Sequence, residues 1–476
     1  MDAAQQIITE IEAFCSRHGI AESTFGYRAA NDGKFVRRLR NGRRVTTATL
    51  ERVRDYIAVY QSAQTRRAPI AGMEAPGPGP AAGLAAGPAA TPAQPVPVRP
   101  SLNGHAAFRF YDNRQKYLMF VHTCSEKWVV ADRVGMELAH VQVTPPALRV
   151  FDAGMGDGTV LTRTLRQMHR RFPTVPFYVV GKEISLEDVR LSLEKLPDRF
   201  YEHPAMVVVV TNLYYTEAPS LMPRNLTAAA SLNWQEVVLS GNTAHDFERQ
   251  INDLGPVLND GWRVRASEKT GNPLYERPSV LILYREDHRV LLDQIIPRPG
   301  QSQGQYDLIV ASQPFRARMP VAFKVERVLR PLAESLAPGG RMLTVFSRGR
   351  DPGLEIVRKI WPEENPFVHD RHQIVHALKE RLGPHRRDLT FNAYADKRAL
   401  FRYHMHTLPT EIGDNIGTST LLAAWNAAIY VAQIEDRRLE EVMADSRYLQ
   451  ATRDVLQKYD SLWFLDESFV VTRRRN

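Results

Sequence analysis

Residues 150–161 read VFDAGMGDGTVL. A short apolar run ends at Asp152, glycines stand at positions 154, 156 and 158, and a helical pattern begins directly afterwards. A strand that runs through closely spaced glycines into a helix brings the backbone close to a ligand and points the amino terminus of the helix at it. The stretch therefore predicts a ligand-binding turn between a strand and a helix.

The class of ligand follows from the spacing and charge of this turn. A dinucleotide fold uses G-x-G-x-x-G, but here the third glycine comes one position early and Thr159 stands at the dinucleotide position. Asp152 and Asp157 flank the turn, and two carboxylates would repel a pyrophosphate. The turn thus favours a cationic ligand over a dinucleotide.

Beyond the turn, apolar strands alternate with helical stretches. The strand candidates are LRVFDAG, PFYVVGKEIS, AMVVVVTNLYY, YDLIVASQPF and GGRMLTVFSRG. This alternation predicts an α/β domain with a parallel sheet and helices on both faces. Two stretches, near 216–305 and 407–462, break the order and are predicted to be insertions that shape or cover a site. The first contains the strand candidates WRVRAS and PSVLILYRE, and the second a long Ala-rich helical stretch.

The motif D-x-G-x-G-x-G resembles the first motif of class I S-adenosylmethionine-dependent methyltransferases, and the resemblance extends along most of residues 103–476. It implies a Rossmann-like, mostly parallel sheet that ends in an antiparallel strand pair, here FRYHMHTLP and WFLDESFVVTRR. It also implies S-adenosyl-L-methionine as the cofactor. Glu183 would accept both ribose hydroxyls, and Asn212 and Leu213 would surround the adenine. The implied cofactor-binding residues are Asp152, Gly154, Gly156, Gly158, Glu183, Asn212 and Leu213.

The methyl acceptor is less clearly marked. Ser312, Gln313, Pro314 and Phe315 partly resemble the S/D/N-P-P-Y/F element of amino-methyltransferases, which clamps an amino group and covers it with an aromatic ring. Gln313 stands where the first proline belongs, so a plain polar turn explains the stretch equally well. Nucleic acid, protein and small metabolite all stay open as acceptors.

Two further features precede and follow the sheet. The helical stretch FYDNRQKYLMFVHTCSEKWVV resembles a helix that caps the cofactor or lines the substrate entrance in related enzymes, and a docking helix explains it equally well. His404 and His406 alternate on a predicted strand, where one of them could act as a general base. No third ligand accompanies them, so no metal is predicted.

A separate small all-α domain is predicted at residues 1–67. It precedes an Ala/Pro/Gly-rich flexible linker at 68–102. Its short helices and the basic run KFVRRLRNGRR resemble lambda-repressor-like helix-turn-helix domains. By that resemblance Lys34, Arg37 and Arg38 would face duplex DNA, and Arg40, Arg43 and Arg44 would lie nearer the phosphates. A solvated basic face is the alternative interpretation.

Composition gives the compartment. The two cysteines, Cys15 and Cys124, are too few for a disulfide framework, and no apolar run approaches the roughly 18 residues of a membrane helix. We therefore expect a cytoplasmic protein with no membrane association. A net charge of +9 permits an anionic partner.

These observations support two hypotheses. The leading one is an S-adenosylmethionine-dependent methyltransferase tethered to a DNA-binding module. The alternative is a DNA-binding regulator whose methyltransferase-like domain senses S-adenosylmethionine without catalysis.

We expect limited proteolysis of the full chain to cut first between about residues 68 and 102, because this composition provides no packed backbone. Mass spectrometry of the digest should show two protease-resistant fragments. Survival of the intact chain under conditions that digest an unstructured peptide would contradict the two-domain division.

Overall fold

A computed structural model of the chain describes residues 3–18, 35–41 and 114–475, with gaps at 267–272, 303, 384–386, 408–410, 414 and 444. It also describes helical positions 22, 25, 29, 49, 53, 54 and 57. The chain divides into two compact units, Met1–Gln94 and Pro95–Asn476. The predicted linker at 68–102 lies outside the described residues, as do Lys34, Arg43 and Arg44.

The smaller unit contains helices α1 (Ala3–His18) and α2 (Phe35–Arg40). Its core is apolar and includes Phe14, Phe25 and Phe35, each of which is almost completely buried. The first two of these rings meet edge to face at 5.3 Å. The described residues of this unit are helical, while a small all-α domain at residues 1–67 and its helix-turn-helix arrangement stay predictions.

The larger unit is built on one mixed sheet and a small hairpin. The strands are β1 Leu148–Asp152, β2 Phe177–Lys182, β3 Met206–Thr211, β4 Asn233–Leu239, β5 Val264–Ala266, β6 Pro273–Tyr275, β7 Ser279–Arg285, β8 Tyr306–Ser312, β9 Leu336–Ser347, β10 Leu389–Asn392, β11 Leu400–His404 and β12 Trp463–Arg473. Among the described residues, ten strands join the main sheet in the order β10-β12-β9-β8-β1-β2-β3-β7-β4, with β11 also paired to β12.

The centre of the sheet is parallel, as predicted. Strands β9, β8, β1, β2 and β3 all run in the same direction. Every residue of β2 and β3 is buried, because helices cover both faces, and their sequences FYVVGK and MVVVVT are accordingly almost wholly apolar. Strand β12 is antiparallel to β9, β10 and β11, which gives the antiparallel final strand of a Rossmann-like sheet.

The helices of the larger unit are α3 Arg114–Thr123, α4 Glu126–Leu138, α5 Thr159–Arg171, α6 Leu186–Leu193, α7 Pro197–Glu202, α8 Leu226–Ala230, α9 Ala244–Asn252, α10 Gly255–Gly261, α11 Arg289–Leu292, α12 Val321–Lys324, α13 Arg330–Glu334, α14 Pro352–Ile360, α15 Arg371–Leu382, α16 Asp396–Ala399, α17 Thr418–Val431, α18 Asp436–Met443 and α19 Arg447–Tyr459. A π-helical turn, Val325–Leu329, joins α12 to α13. No helix in the described ranges is long and apolar enough to cross a membrane.

The first predicted insertion, near 216–305, extends the sheet instead of only covering it. Strand β7 pairs antiparallel with β3, and β4 adds outside it. Of the two predicted strands, PSVLILYRE forms β7, whereas WRVRAS forms β5 in the separate hairpin with β6. All seven residues of β7 are buried, because apolar side chains pack on both faces of the sheet at this strand.

The second predicted insertion, near 407–462, is helical as expected but not continuous. The Ala-rich stretch forms α17 and α18, separated at residues 432–435, where Gln433 has a positive φ of 54°. Helices α17 and α19 pack with α14, and α17 also packs on α3. Their shared core contains Trp425, Val455 and Phe120. This helical layer places α3 beside the glycine turn.

Candidate functional site

Residues predicted to bind the cofactor, and Ser312, which is predicted to bind the methyl acceptor, lie along one edge of the sheet. Asp152 ends β1, Glu183 directly follows β2, Asn212 directly follows β3, and Ser312 ends β8. Because these strands are parallel, their carboxyl ends meet at the same edge, which is where open α/β sheets bind ligands. Topology therefore brings the predicted set together.

The glycine turn is held by hydrogen bonds from both sides. The Asp152 carboxylate accepts a bond from the Gly154 amide at 3.2 Å. The Met155 amide donates to the Lys182 carbonyl at 3.0 Å, and Ser192 Oγ donates to the Gly156 carbonyl at 2.7 Å. Strand β2 and helix α6 thus fix the turn in place before any ligand binds.

The three glycines are needed for different reasons. Gly156 and Gly158 have φ values of 54° and 78°, a region that side chains rarely adopt. A Cβ on Gly158 would lie 2.8 Å from the Cα of Ser192, so helix α6 requires glycine there. A Cβ on Gly154 would meet only the Ser312 carbonyl oxygen at 3.7 Å, an ordinary contact. Backbone packing therefore does not explain Gly154.

The Glu183 carboxylate is clamped by backbone amides. Its Oε2 accepts from Gly156 at 2.7 Å, and its Oε1 accepts from Ile184 at 2.7 Å and Ser185 at 2.8 Å. A carboxylate offers about four acceptor positions, so one stays open on Oε2. The residue is only 8% exposed, and its orientation is fixed toward the turn. The resemblance assigns two hydroxyls to this group, whereas the unliganded geometry leaves room for one.

Asp157 has a different role from the one that the sequence suggested. Its carboxylate pairs with Lys195 at 2.5 Å and accepts from the hydroxyl of Thr159 at 2.5 Å and from its amide at 3.5 Å. Burial alone would raise its pKa, but Lys127 and the bonds from Lys195 and Thr159 lower the pKa. Asp157 therefore lies at the start of α5 with its negative charge balanced by Lys195, which weakens its attraction for a cationic ligand.

Asp152 is a buried acid, 3% exposed, with no ion-pair partner among the described residues. Burial raises its pKa to about 7, the nearby Glu183 carboxylate adds to that effect, and the Gly154 amide and the Lys127 ammonium act against it. The charge of Asp152 in the free protein is thus costly, and a cation placed beside it would be stabilised.

Asn212 and Leu213 are both buried, but the Asn212 amide is already used. Its Nδ2 donates to the carbonyl of Gly261 at 2.9 Å and of Arg277 at 3.4 Å, and its Oδ1 accepts from the amide of Ser279 at 2.8 Å. These bonds dock the first insertion on the end of β3. The structure thus ties the Asn212 side chain to the insertion, while Leu213 is 2% exposed and packs in the apolar core.

The same insertion reaches the residues after β2. The indole nitrogen of Trp262 donates to the Glu183 carbonyl at 2.9 Å, and the Tyr275 hydroxyl donates to the Ile184 carbonyl. The insertion thus braces the backbone that presents the Glu183 carboxylate. Its predicted role in shaping or covering a site stays a prediction.

Helix α3 closes the opposite side of the turn. The Tyr117 hydroxyl accepts a bond from the Asp157 amide at 3.1 Å and lies 2.9 Å from the position of a Cβ on Gly156. Contact with the glycine turn fits both interpretations of this stretch, a helix that covers a ligand site and a docking helix, so both stay open. The sequence signal was the alternation of aromatic, basic and polar residues.

The amino clamp at Ser312, Gln313, Pro314 and Phe315 stays a prediction. The Pro314 carbonyl accepts from the Tyr215 hydroxyl at 3.2 Å, and the Phe315 ring packs against Phe346 at 5.7 Å. Gln313 takes a positive φ of 47°, a value that a proline ring does not allow. The amide at this position instead joins a cluster that the sequence did not predict.

That cluster contains two buried carboxylates from distant parts of the chain. Gln313 Nε2 lies 3.3 Å from an oxygen of Glu126 and 3.3 Å from an oxygen of Asp466. Glu126 begins α4 and is 3% exposed, and Asp466 lies in β12 and is fully buried. Burial raises the pKa of Asp466 well above its usual range, and Glu126 raises it further.

The remaining chemical candidates lie elsewhere. His404 and His406 are both exposed, and Tyr403 and Met405, which directly precede them in the sequence, face the core. The role of a general base stays a prediction for the two histidines. In the part of the chain that the structure describes, no group of three His, Cys, Asp or Glu is placed to hold a metal ion.

Only part of the predicted DNA-binding segment is described. Arg37 and Arg38 are exposed on α2, while Phe35, Val36 and Leu39 are buried. Arg40 forms ion pairs with Glu12 and Glu22, each at 2.5 Å. Those two carboxylates hold Arg40 within the small unit, which leaves it poorly suited to a phosphate. DNA contact through Arg37 and Arg38 stays a prediction.

Comparisons with known proteins add the following. No protein-family profile matches the chain, and no curated protein matches it in sequence. Its structural neighbours are S-adenosylmethionine-dependent methyltransferases. One is a protein of Galdieria sulphuraria described as a sarcosine dimethylglycine methyltransferase (10% identity, 72% of this chain, 85% of that chain, TM-score 0.30). Another is phosphoethanolamine N-methyltransferase 2 of Haemonchus contortus with S-adenosylhomocysteine bound (11% identity, 78% of this chain, 61% of that chain, TM-score 0.30). A geranyl diphosphate methyltransferase with S-adenosylmethionine also matches (10% identity, 72% of this chain, 85% of that chain, TM-score 0.28). At these values the likeness carries no argument about activity.

The contrast between Gly154 and Gly156 gives a test of the turn. We expect Gly154→Ala to leave the free energy of unfolding nearly unchanged, because the new Cβ meets only ordinary contacts. Gly156→Ala should lower it by about 1–2 kcal/mol, because alanine is disfavoured at positive φ. Urea denaturation of both variants measures the difference, and equal stabilities would show that the turn is not held as described.

Proposed function

We propose that the chain is an S-adenosylmethionine-dependent methyltransferase that holds its cofactor at the carboxyl ends of β1 and β2. The observation that carries the proposal is the state of the helix that follows the glycine turn. A dinucleotide fold leaves this helix terminus open to a pyrophosphate. Here the Asp157 carboxylate, paired with Lys195, lies at the start of α5, where it accepts a bond from the Thr159 hydroxyl and is 3.5 Å from the Thr159 amide.

The charges around the turn support the same choice. Asp152 and Glu183 are both buried at the sheet edge, and neither has an Arg, Lys or His partner within ion-pair distance among the described residues. A pyrophosphate there would face two acids. S-adenosylmethionine brings an ammonium, a sulfonium and two ribose hydroxyls, which are the groups that such acids stabilise.

The ribose and the ammonium of the cofactor each have an acidic residue suited to them. Glu183 has an open acceptor position for a ribose hydroxyl, and Asp152 supplies a negative charge for the ammonium. Gly154, which packing does not require, leaves space next to the Ser312 carbonyl at the end of β8. When bound, the cofactor supplies a methyl group activated by its positively charged sulfur. The chain contributes by fixing this group against an acceptor.

The alternative function, a regulator that senses S-adenosylmethionine without catalysis, shares this cofactor site. The two differ at the acceptor side, because an enzyme needs a second site beside the methyl group. A regulator would bind the cofactor and leave no label on any acceptor. Transfer of a labelled methyl group from the cofactor to any component of a cell extract therefore separates them.

Cofactor binding is tested by titration calorimetry with S-adenosylhomocysteine and NAD. We expect the wild-type chain to bind S-adenosylhomocysteine and to give no comparable response to NAD. Glu183→Gln should weaken binding roughly tenfold or more, since a hydrogen bond to a charged acceptor is lost. Glu194→Gln, at an exposed carboxylate directly after helix α6, is the matched control and should bind normally.

Two outcomes would contradict the proposal. One is tight NAD binding with no response to S-adenosylhomocysteine. The other is equal affinity in Glu183→Gln and the wild type, which would place the ligand elsewhere.

The pKa of Asp152 predicts how cofactor affinity depends on pH. A bound ammonium lowers the pKa of this carboxyl from its free value of about 7, so binding favours the ionised form. Affinity for S-adenosylhomocysteine should therefore rise as pH increases from 5.5 toward about 7 and level off above it. Asp152→Asn should remove this rise. A wild-type affinity that falls over the same range would contradict the role given to Asp152.

Stability should show the opposite trend. The pKa of Asp152 is raised in the folded chain above its ordinary value of 3.8. Its contribution to stability is therefore fully present below pH 4 and is lost as pH rises through about 7. We expect Asp152→Asn to unfold at a higher urea concentration than the wild type at pH 8.

A further inference from the structure

The cluster around Gln313 contains more hydrogen-bond acceptors than its single amide can satisfy. Gln313 Nε2 lies within reach of Ser347 Oγ at 3.2 Å and of the Glu126 and Asp466 carboxylates at 3.3 Å each. An amide nitrogen has two hydrogens, so three acceptors compete for them. All three distances exceed the usual 2.9 Å, and the bonds are therefore weak.

Several polar atoms around the cluster have no partner. Among the described residues, Asp466 Oδ1, Ser312 Oγ and the Tyr403 hydroxyl are buried without a hydrogen bond. An unsatisfied buried polar atom destabilises a fold, and native proteins contain few of them. The cluster thus lacks hydrogen-bond donors and positive charge: among the described residues, only Lys127 lies within ion-pair distance of one of its carboxylates, 3.3 Å from Glu126.

The cluster lies beside the proposed cofactor site. Gly154 faces the carbonyl of Ser312, and Gln313 follows Ser312 directly. Lys127 acts on both groups of acids: its pKa is lowered by burial, but the carboxylates of Glu126, Asp157 and Asp152 raise the pKa overall. The acids of the cluster and the acids of the cofactor site therefore share one edge of the sheet.

A cavity of about 10 Å³ borders the cluster. Gln313 and Ser347 line it, together with the rings of Phe315, Phe346 and Phe367. Lys324 also lines it, with its ammonium donating to the Ala317 carbonyl at 2.7 Å. A positive group in the lining disfavours a molecule with a second positive charge. The cavity has room for about one water-sized group, so an apolar chain with one cationic end fits only when the Gln313 side chain moves out of the way.

We propose that the methyl acceptor is a monoamine whose ammonium displaces the Gln313 amide and binds between Glu126 and Asp466. This inference rests on the proposed function for the origin of the methyl group. An ammonium has three hydrogens for the three acceptors, and its bonds to carboxylates are charge-assisted and stronger than those of an amide. The neutral Gln313 amide occupies the position when no acceptor is bound.

In the proposed reaction the bound ammonium gives one proton to the Asp466 carboxylate and becomes a neutral amine. Its nitrogen lone pair forms a bond to the methyl carbon, while the bond between carbon and sulfur breaks and its electrons stay on sulfur. The products are an N-methyl ammonium and neutral S-adenosylhomocysteine, and the proton on Asp466 passes to solvent. A buried carboxyl with a raised pKa suits this proton transfer.

A pair of variants at one position tests the ammonium site without knowledge of the substrate. Gln313→Lys and Gln313→Met both remove the amide and have similar length, but only lysine brings an ammonium. We expect Gln313→Lys to raise the melting temperature of the full chain at pH 8 by a few degrees over Gln313→Met. If the amide were only a structural link, both variants would lose stability alike, and that result would overturn the inference.

Transfer to a probe amine is the second measurement. With methyl-labelled S-adenosylmethionine, hexylamine should acquire base-stable label, and hexanol and hexane-1,6-diamine should acquire much less. Asp466→Asn should reduce this transfer at least tenfold with no loss of thermal stability, because it removes a buried acid. Label on hexanol equal to that on hexylamine would overturn the inference.

Binding of S-adenosylhomocysteine to the same proteins separates the two proposals. If the wild type and Gln313→Lys both bind it but lysine gives no gain in stability over methionine, the amine site fails and the cofactor site stands. If lysine stabilises but no protein binds S-adenosylhomocysteine, the ammonium site stands and the methyltransferase proposal fails.

Discussion

The hydrogen bond from the Gly156 amide to the Glu183 carboxylate, at 2.7 Å, joins the ends of the first two parallel strands. It requires a turn with positive φ at Gly156 and a carboxylate that cannot rotate. The amides of Ile184 and Ser185 provide that restraint, and Trp262 from the first insertion holds the backbone behind them. The rest of the cofactor site depends on this bond, because it fixes the distance between the turn and the acid.

Buried acids at one edge of a sheet are expensive to fold. The carboxyls of Asp152 and Asp466 both have raised pKa values through burial. Removal of such a charge usually stabilises a protein, so retention of several together indicates a function that stability alone does not explain. A bound cation would stabilise each ionised carboxylate, the cofactor ammonium at Asp152 and the acceptor ammonium at Asp466.

The sequence predicted the parallel centre of the sheet well, because strands buried on both faces have to be apolar throughout, as MVVVVT in β3 shows. It also indicated Glu183, because an acid directly after the second strand has to lie beside the turn. It could not predict the partner of Asp157, since two helices and a strand, α5, β2 and α6, separate Lys195 from it in the sequence. The Glu126 and Asp466 pair was equally hidden, because the two residues come from opposite ends of the domain and neither belongs to a recognisable motif.

A crystal structure of the full chain with S-adenosylhomocysteine would show directly whether the glycine turn and Glu183 hold the cofactor. We expect a ribose hydroxyl on Glu183 Oε2, the ligand ammonium beside Asp152, and an intact Asp157 pair with Lys195. A ligand bound away from β1 and β2, or phosphate-like contacts at the start of α5 with Asp157 displaced, would contradict it.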